Sequence, residues 1–149
     1  MRPFKDDEEV YAWCLSEGNL IPQIEINLGR VKSNLSIAQE NLESAKDSIL
    51  KKRWNTAYKL YYDVIHQLVE SLLIFDKVKS TSHQCLYASL CVKHPELELS
   101  WDFFEKIRTK RNGMNYYGAP VQEKDWKEVG LPFELYINLL TKEIKNRLK

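Results

Sequence analysis

Between Lys106 and Asn115 the chain gathers side chains suited to holding a phosphate. Lys106, Arg108, Lys110 and Arg111 place four cations within six residues, enough positive charge to attract an anion, and arginine adds a planar bidentate donor that lysine lacks. Asn112 and Asn115 can donate to a phosphate oxygen or read a base edge. On a helical wheel turning about 100° per residue, Arg108, Arg111, Asn112 and Asn115 cluster on one side. Phe103, Ile107, Met114 and Tyr117 fall in a narrow sector roughly opposite. Trp101 and Phe104 extend the polar side towards the amino end, giving a face that is aromatic at one end and cationic at the other. The same residues admit a structural role, with the arginines paired to Asp63 or Glu70 on an earlier helix to hold a bundle together.

Proton transfer near neutral pH asks for a group with a pKa of about 6.5, which is histidine. His66 shares a helical stripe with Lys59, Asp63 and Glu70, and a neighbouring carboxylate is what orients an imidazole. The alternative for His66 is a histidine hydrogen-bonded within the bundle. His83, in a capping turn, and His94, before Pro95, read as structural. The chain has no glycine-rich phosphate loop, no HExxH and no serine or cysteine beside a base. Cys14, Cys85 and Cys91 are odd in number and lack ligand spacing, so neither a disulfide nor a zinc site is expected. No cofactor is expected either, and a reducing cytoplasm fits this cysteine usage.

The elements that must carry these residues read as helices. The 149 residues suit one domain, with residues 1–20 a short helix and lead-in and residues 22–149 a bundle. A balance of 22 basic against 21 acidic residues names no partner by global charge, so any nucleic-acid affinity must be local. No window of about 18 apolar residues occurs, so neither a membrane span nor a signal peptide is expected. Glycine and proline punctuate about six helical runs and leave no strand pair: Asp6 to Ser16, a second opening after Pro22 and running to about Lys51, Trp54 to Phe75, a short run around Cys85 to Val92, a fifth from Ser100 to about Gly118, and a last opening at Pro132. The narrow seam of the second run, from Ile24 to Ile49, wants a partner helix. The third run is the candidate centre, with Trp54, Tyr58, Tyr61 and Tyr62 read by their helical spacing as core and interface in preference to a base-stacking platform. The expectation is an all-α, up-down bundle of five to six helices.

The segment Arg111-Asn112-Gly113-Met114-Asn115-Tyr116-Tyr117-Gly118, preceded by Lys106 and Arg108, resembles the arginine- and asparagine-rich motif on a late helix of HEPN domains (higher eukaryotes and prokaryotes nucleotide-binding). The segment from Arg53 to Val64 is similar to the helix of that family that follows a long antiparallel partner. The resemblance implies a HEPN-like bundle that forms a homodimer in which two copies of the motif meet in a cleft. It also implies metal-independent ribonuclease activity, or partnership with a nucleotidyltransferase in a toxin–antitoxin system. The family's arginine is followed four to six residues later by a histidine. Counting from Arg111, Tyr116 stands in that place, and counting from Arg108 the window covers Gly113, Met114 and Asn115. A tyrosine, with a pKa of about 10, is a poor general acid or base near neutrality, although its hydroxyl can orient a phosphate.

Three readings follow. In the first, a homodimeric HEPN-like module binds RNA or a nucleotide phosphate through Arg108, Arg111, Asn112 and Asn115, with Tyr116 at the edge of the pocket and no efficient catalysis. In the second, a metal-independent endoribonuclease uses Arg111 to stabilise the transition state and Tyr116 or His66 to move protons. In the third, the polar face is a buried arginine–carboxylate network that serves dimerisation or the docking of another protein, such as a nucleotidyltransferase or an antitoxin.

Overall fold

The fold is known from a computed structural model that describes residues 4–149. Among them lie six α-helices and one two-stranded ladder: α1 (Asp7–Ser16), β1 (Leu20–Pro22), α2 (Leu28–Leu50), α3 (Trp54–Phe75), β2 (Val78–Ser80), α4 (His83–Lys93), a 3-10 turn (Pro95–Leu97), α5 (Trp101–Tyr117) and α6 (Glu123–Arg147). The expectation of an all-helical bundle is met. No helix of the described residues is long and apolar enough to cross a membrane.

Local chemistry sets most helix ends. Side chains of Asp6, Asn27, Ser82 and Ser100 accept the orphan amide hydrogens that open α1, α2, α4 and α5, and Gly118 closes α5 in the left-handed region. Two ends depart from expectation. Pro22 does not open α2; it lies in β1, and the helix waits for the Asn27 cap. The last helix does not open at Pro132 but at Glu123, where Gln122 and Asp125 form a reciprocal capping box. Pro132 sits inside α6, where it removes one backbone donor. The carbonyl so deprived belongs to Glu128, an exposed residue that solvent can reach.

The ladder is also a departure. Leu20 pairs with Ser80 and Pro22 with Val78 in an antiparallel register, too short for an alternating pattern to show in sequence. The ladder ties the entry of α2 to the exit of α3.

Helix α3 is the hub, contacting α2, α4, α5 and α6. It buries Tyr58, Tyr61, Tyr62, Ile65, Leu68 and Leu72. The seam of α2 finds its partner in α3, with Val31, Ala38 and Ala45 at the contact. Aromatic rings fill the opposite side: Tyr61 packs on Trp126 at 4.6 Å and Phe133 meets Tyr58 edge-on at 5.5 Å.

The cysteine expectation is corrected. Cys14 of α1 and Cys85 of α4 form a disulfide, both fully buried, while Cys91 remains a buried free thiol. The pair stands 71 residues apart in sequence, so spacing carries no trace of it; the packing of α1 on α4 creates it. A reducing compartment therefore loses its support from the cysteines.

Candidate functional site

Helix α5 turns its cationic side inward. Its buried residues are Phe104, Ile107 and Arg108, whereas Tyr117, placed on the apolar sector by the wheel, is 85% exposed. The cause is Phe104, whose ring stacks on Tyr87 of α4 at 4.7 Å and nearly parallel. Anchoring that ring rotates the arginine side of α5 onto α3 and α4.

A buried guanidinium needs a carboxylate and full hydrogen bonding. Arg108 meets this through its own helix: Nε and Nη2 each donate to Glu105 at 2.9 Å, in a fork. Gln84 of α4 donates to the same carboxylate at 3.3 Å. Glu70, one of the two α3 carboxylates expected to pair with the α5 arginines, is instead held by Arg30 of α2 at 2.6 Å.

Arg111 is differently placed. Its guanidinium lies over the Tyr62 ring at 5.3 Å, a cation–π contact. Nη1 donates to Asn112 Oδ1 at 3.3 Å, and the buried Nε has no hydrogen-bond partner. Among the described residues no carboxylate forms an ion pair with it. Asp63 feels it at longer range: burial raises the Asp63 carboxyl, and Arg111 is the strongest cation pulling it back.

Two histidines complete the cluster. His66 of α3 and His83 of α4 have ring centroids 4.2 Å apart, and Nδ1 of His83 lies 2.8 Å from the Tyr62 hydroxyl. Burial lowers the pKa of His66. Burial lowers that of His83 to about 4, helped by the neighbouring His66, Arg111 and Arg108. Both rings are therefore neutral near pH 7. Burial also pushes the Tyr62 phenol up to about 12, so its hydroxyl can donate to Nδ1 of His83 and leave that ring's hydrogen on Nε2.

The histidine pair forms one wall of a cleft of about 420 Å³ between α3, α4 and the ladder. Asn27, Arg30, Glu70 and Ser80 give it polar edges, and Leu73, Ile74 and Leu86 an apolar wall. The Arg30–Glu70 pair neutralises the carboxylate there.

Of the residues singled out from sequence, Arg108, Arg111 and His66 come together here, with Asn112 on the flank. Asn115 is exposed, and Tyr116, 71% exposed, makes none of the cluster's contacts. His83, read as structural, and Tyr62, read as core, are the residues sequence reasoning left out. Tyr62 stands four positions before His66 and shares its helix face, a signal that could have found it. His83 has no such local signal. His94 belongs elsewhere: it bonds Asp76 at 2.7 Å and Glu96 at 3.1 Å, with Arg147 beside it, fastening the end of α6 to that of α3.

Among the described residues no group of three or more His, Cys, Asp or Glu is placed to hold a metal ion. No protein-family model, curated protein or solved structure matches this chain.

Proposed function

We propose that the chain is a HEPN-like module that binds the phosphate of RNA or a nucleotide at the α3–α4–α5 cluster, with Arg111 as the anchoring cation. The observation that carries this reading is the unpartnered, buried Nε of Arg111 beside two neutral histidines. A half-buried cation with an unused donor and no carboxylate partner is a standing attraction for an anion. Imidazole N–H groups can add hydrogen bonds to it. The adjoining cleft supports a nucleotide over a bare phosphate, because its apolar wall can take a base face while its polar edges take the base's donors and acceptors.

Titration calorimetry with a short single-stranded RNA and with adenosine 5′-monophosphate tests this. Binding that falls at least tenfold in Arg111→Ala, with the melting transition retained, is the expected result. Equal binding by both proteins would reject it.

One observation favours a catalytic version of the same site. The histidine that the α5 motif lacks is supplied from α3 and α4, within the field of Arg111. The neutral imidazole of His66 can take the proton of a ribose 2′-hydroxyl, whose oxygen attacks the phosphorus, while His83, its Nδ1 accepting from Tyr62, offers an N–H at Nε2. The 5′-oxygen then leaves and takes up a proton, and Arg111 stabilises the charge that builds on the phosphate. Incubating RNA with the protein in chelator, beside His66→Gln and His83→Gln, separates the two versions. Cleavage lost in either variant selects the enzyme; equal background in all three selects binding alone.

A further inference from the structure

A second cleft, of about 430 Å³, opens between α5 and α6 beside Tyr58 of α3. Asp102, Lys106, Thr109 and Gly113 line it at offsets of four, seven and eleven along α5, so they share one stripe of that helix, roughly opposite Arg111. Ala119 and Val129 give it apolar walls. Tyr58 is only 1% exposed, and its hydroxyl makes no hydrogen bond among the described residues. A buried phenol ordinarily finds a partner. This one meets the cleft instead.

The charges around the cleft decide the sign of what it can hold. Glu128 pairs with Lys106 at 3.0 Å and Asp125 with Lys110 at 3.2 Å, and the backbone N–H of Gln122 donates to the same Asp125 oxygen at 2.8 Å. Glu105 is held by Arg108. Asp102 is left with no ion pair among the described residues, so the lining carries one uncompensated negative charge. An anion would meet lysines already engaged and a surplus carboxylate, whereas a cation meets Asp102 unopposed. Burial raises the Tyr58 phenol, and Asp125 and Glu128 add to the rise. Its hydroxyl therefore stays protonated and offers both a donor and an acceptor.

We propose that this cleft binds a small organic amine that carries a second polar group on an apolar body. The ammonium pairs with Asp102, the body lies on Ala119 and Val129, and the polar group bonds the Tyr58 hydroxyl. Asp102 is exposed, so its ion pair is solvated and contributes modestly; the buried hydroxyl supplies the selectivity, because a ligand without a matching group leaves it unpaired. His66, His83 and Arg111 do not line this cleft. The proposal stands independently of the phosphate-binding reading.

Titration calorimetry with tyramine tests the proposal, with phenethylamine and 3-(4-hydroxyphenyl)propionate as companions. Tyramine should bind, and the propionate, which has a similar body but an anionic end, should not displace it. Tyr58→Phe removes only the hydroxyl. It should keep the melting temperature, since that hydroxyl bonds nothing in the fold, and weaken tyramine about fivefold while leaving phenethylamine, which lacks the matching group, unchanged. Asp102→Asn should weaken both amines about threefold. No binding of tyramine up to about 10 mM, its displacement by the propionate, or a Tyr58→Phe protein that binds tyramine as the wild type does would overturn the proposal. A clearly lower melting temperature in Tyr58→Phe would do the same, because the hydroxyl would then have a partner inside the fold.

Discussion

The Tyr62 hydroxyl stands 2.8 Å from Nδ1 of His83. Each partner is kept in the protonation state this bond uses, because burial raises the phenol and lowers the imidazole. The face of the same phenol ring carries the Arg111 guanidinium. One residue of α3 thereby orients a histidine of α4 and an arginine of α5.

This arrangement makes stability depend on pH. In the folded protein His83 titrates near 4, below the ordinary value of 6.5, and His66 is shifted in the same direction. On acidification the unfolded chain takes up protons before the folded one does. The contribution is complete above about pH 6.5 and is lost as pH falls from there towards 4. Asp63, raised by burial, acts in the opposite sense just above its own ordinary value. Urea midpoints should decline across the histidine window, and His83→Gln should flatten the decline. A midpoint that rises on acidification across this window would contradict the assignment.

The two arginines should separate in a stability experiment. Arg111 has a buried donor without a partner, a state that costs about 1 to 3 kcal/mol, and its contact with Tyr62 returns about 1 kcal/mol. Arg111→Met, which keeps an apolar stem, is expected to leave the unfolding free energy within about 1 kcal/mol of the wild type or to raise it. Arg108→Met leaves Glu105 without its cation and should cost on the order of 3 kcal/mol. Chemical denaturation of both variants measures the contrast, and equal losses would refute it.

The Cys14–Cys85 bond closes a loop spanning 71 residues. Loop-closure entropy assigns such a bond roughly 4 kcal/mol, so Cys14→Ala/Cys85→Ala should melt well below the wild type. Thiol titration in denaturant should find one reactive cysteine, Cys91, before reduction and three after. Three before reduction would mean the bond is not formed.

Much of the fold was legible because it rests on local signals. Helix α3 runs from Trp54 to Phe75 as its periodicity implies, and Ser100 and Gly118 bracket α5 by their capping chemistry. What escaped depends on distant partners. The ladder joins segments that α2 and α3 separate, and the disulfide joins α1 to α4. Pro132 is tolerated in α6 because the carbonyl it strands belongs to an exposed residue, a fact about burial that spacing does not contain. At the site, the cationic face of α5 was legible, yet its direction was not, because the stacking of Phe104 on Tyr87 decides which side turns inward. His83 became a neighbour of His66 only when α4 docked on α3.

The disulfide divides the chain into a covalently closed ring, from Cys14 to Cys85, and an open tail beyond it. Tyr62, His66 and His83 belong to the ring, while Arg108 and Arg111 arrive on the tail. The imidazole pair is built within the ring by α3 and α4, and its cation is added where α5 docks on them. A site made across that seam exists only in the finished fold.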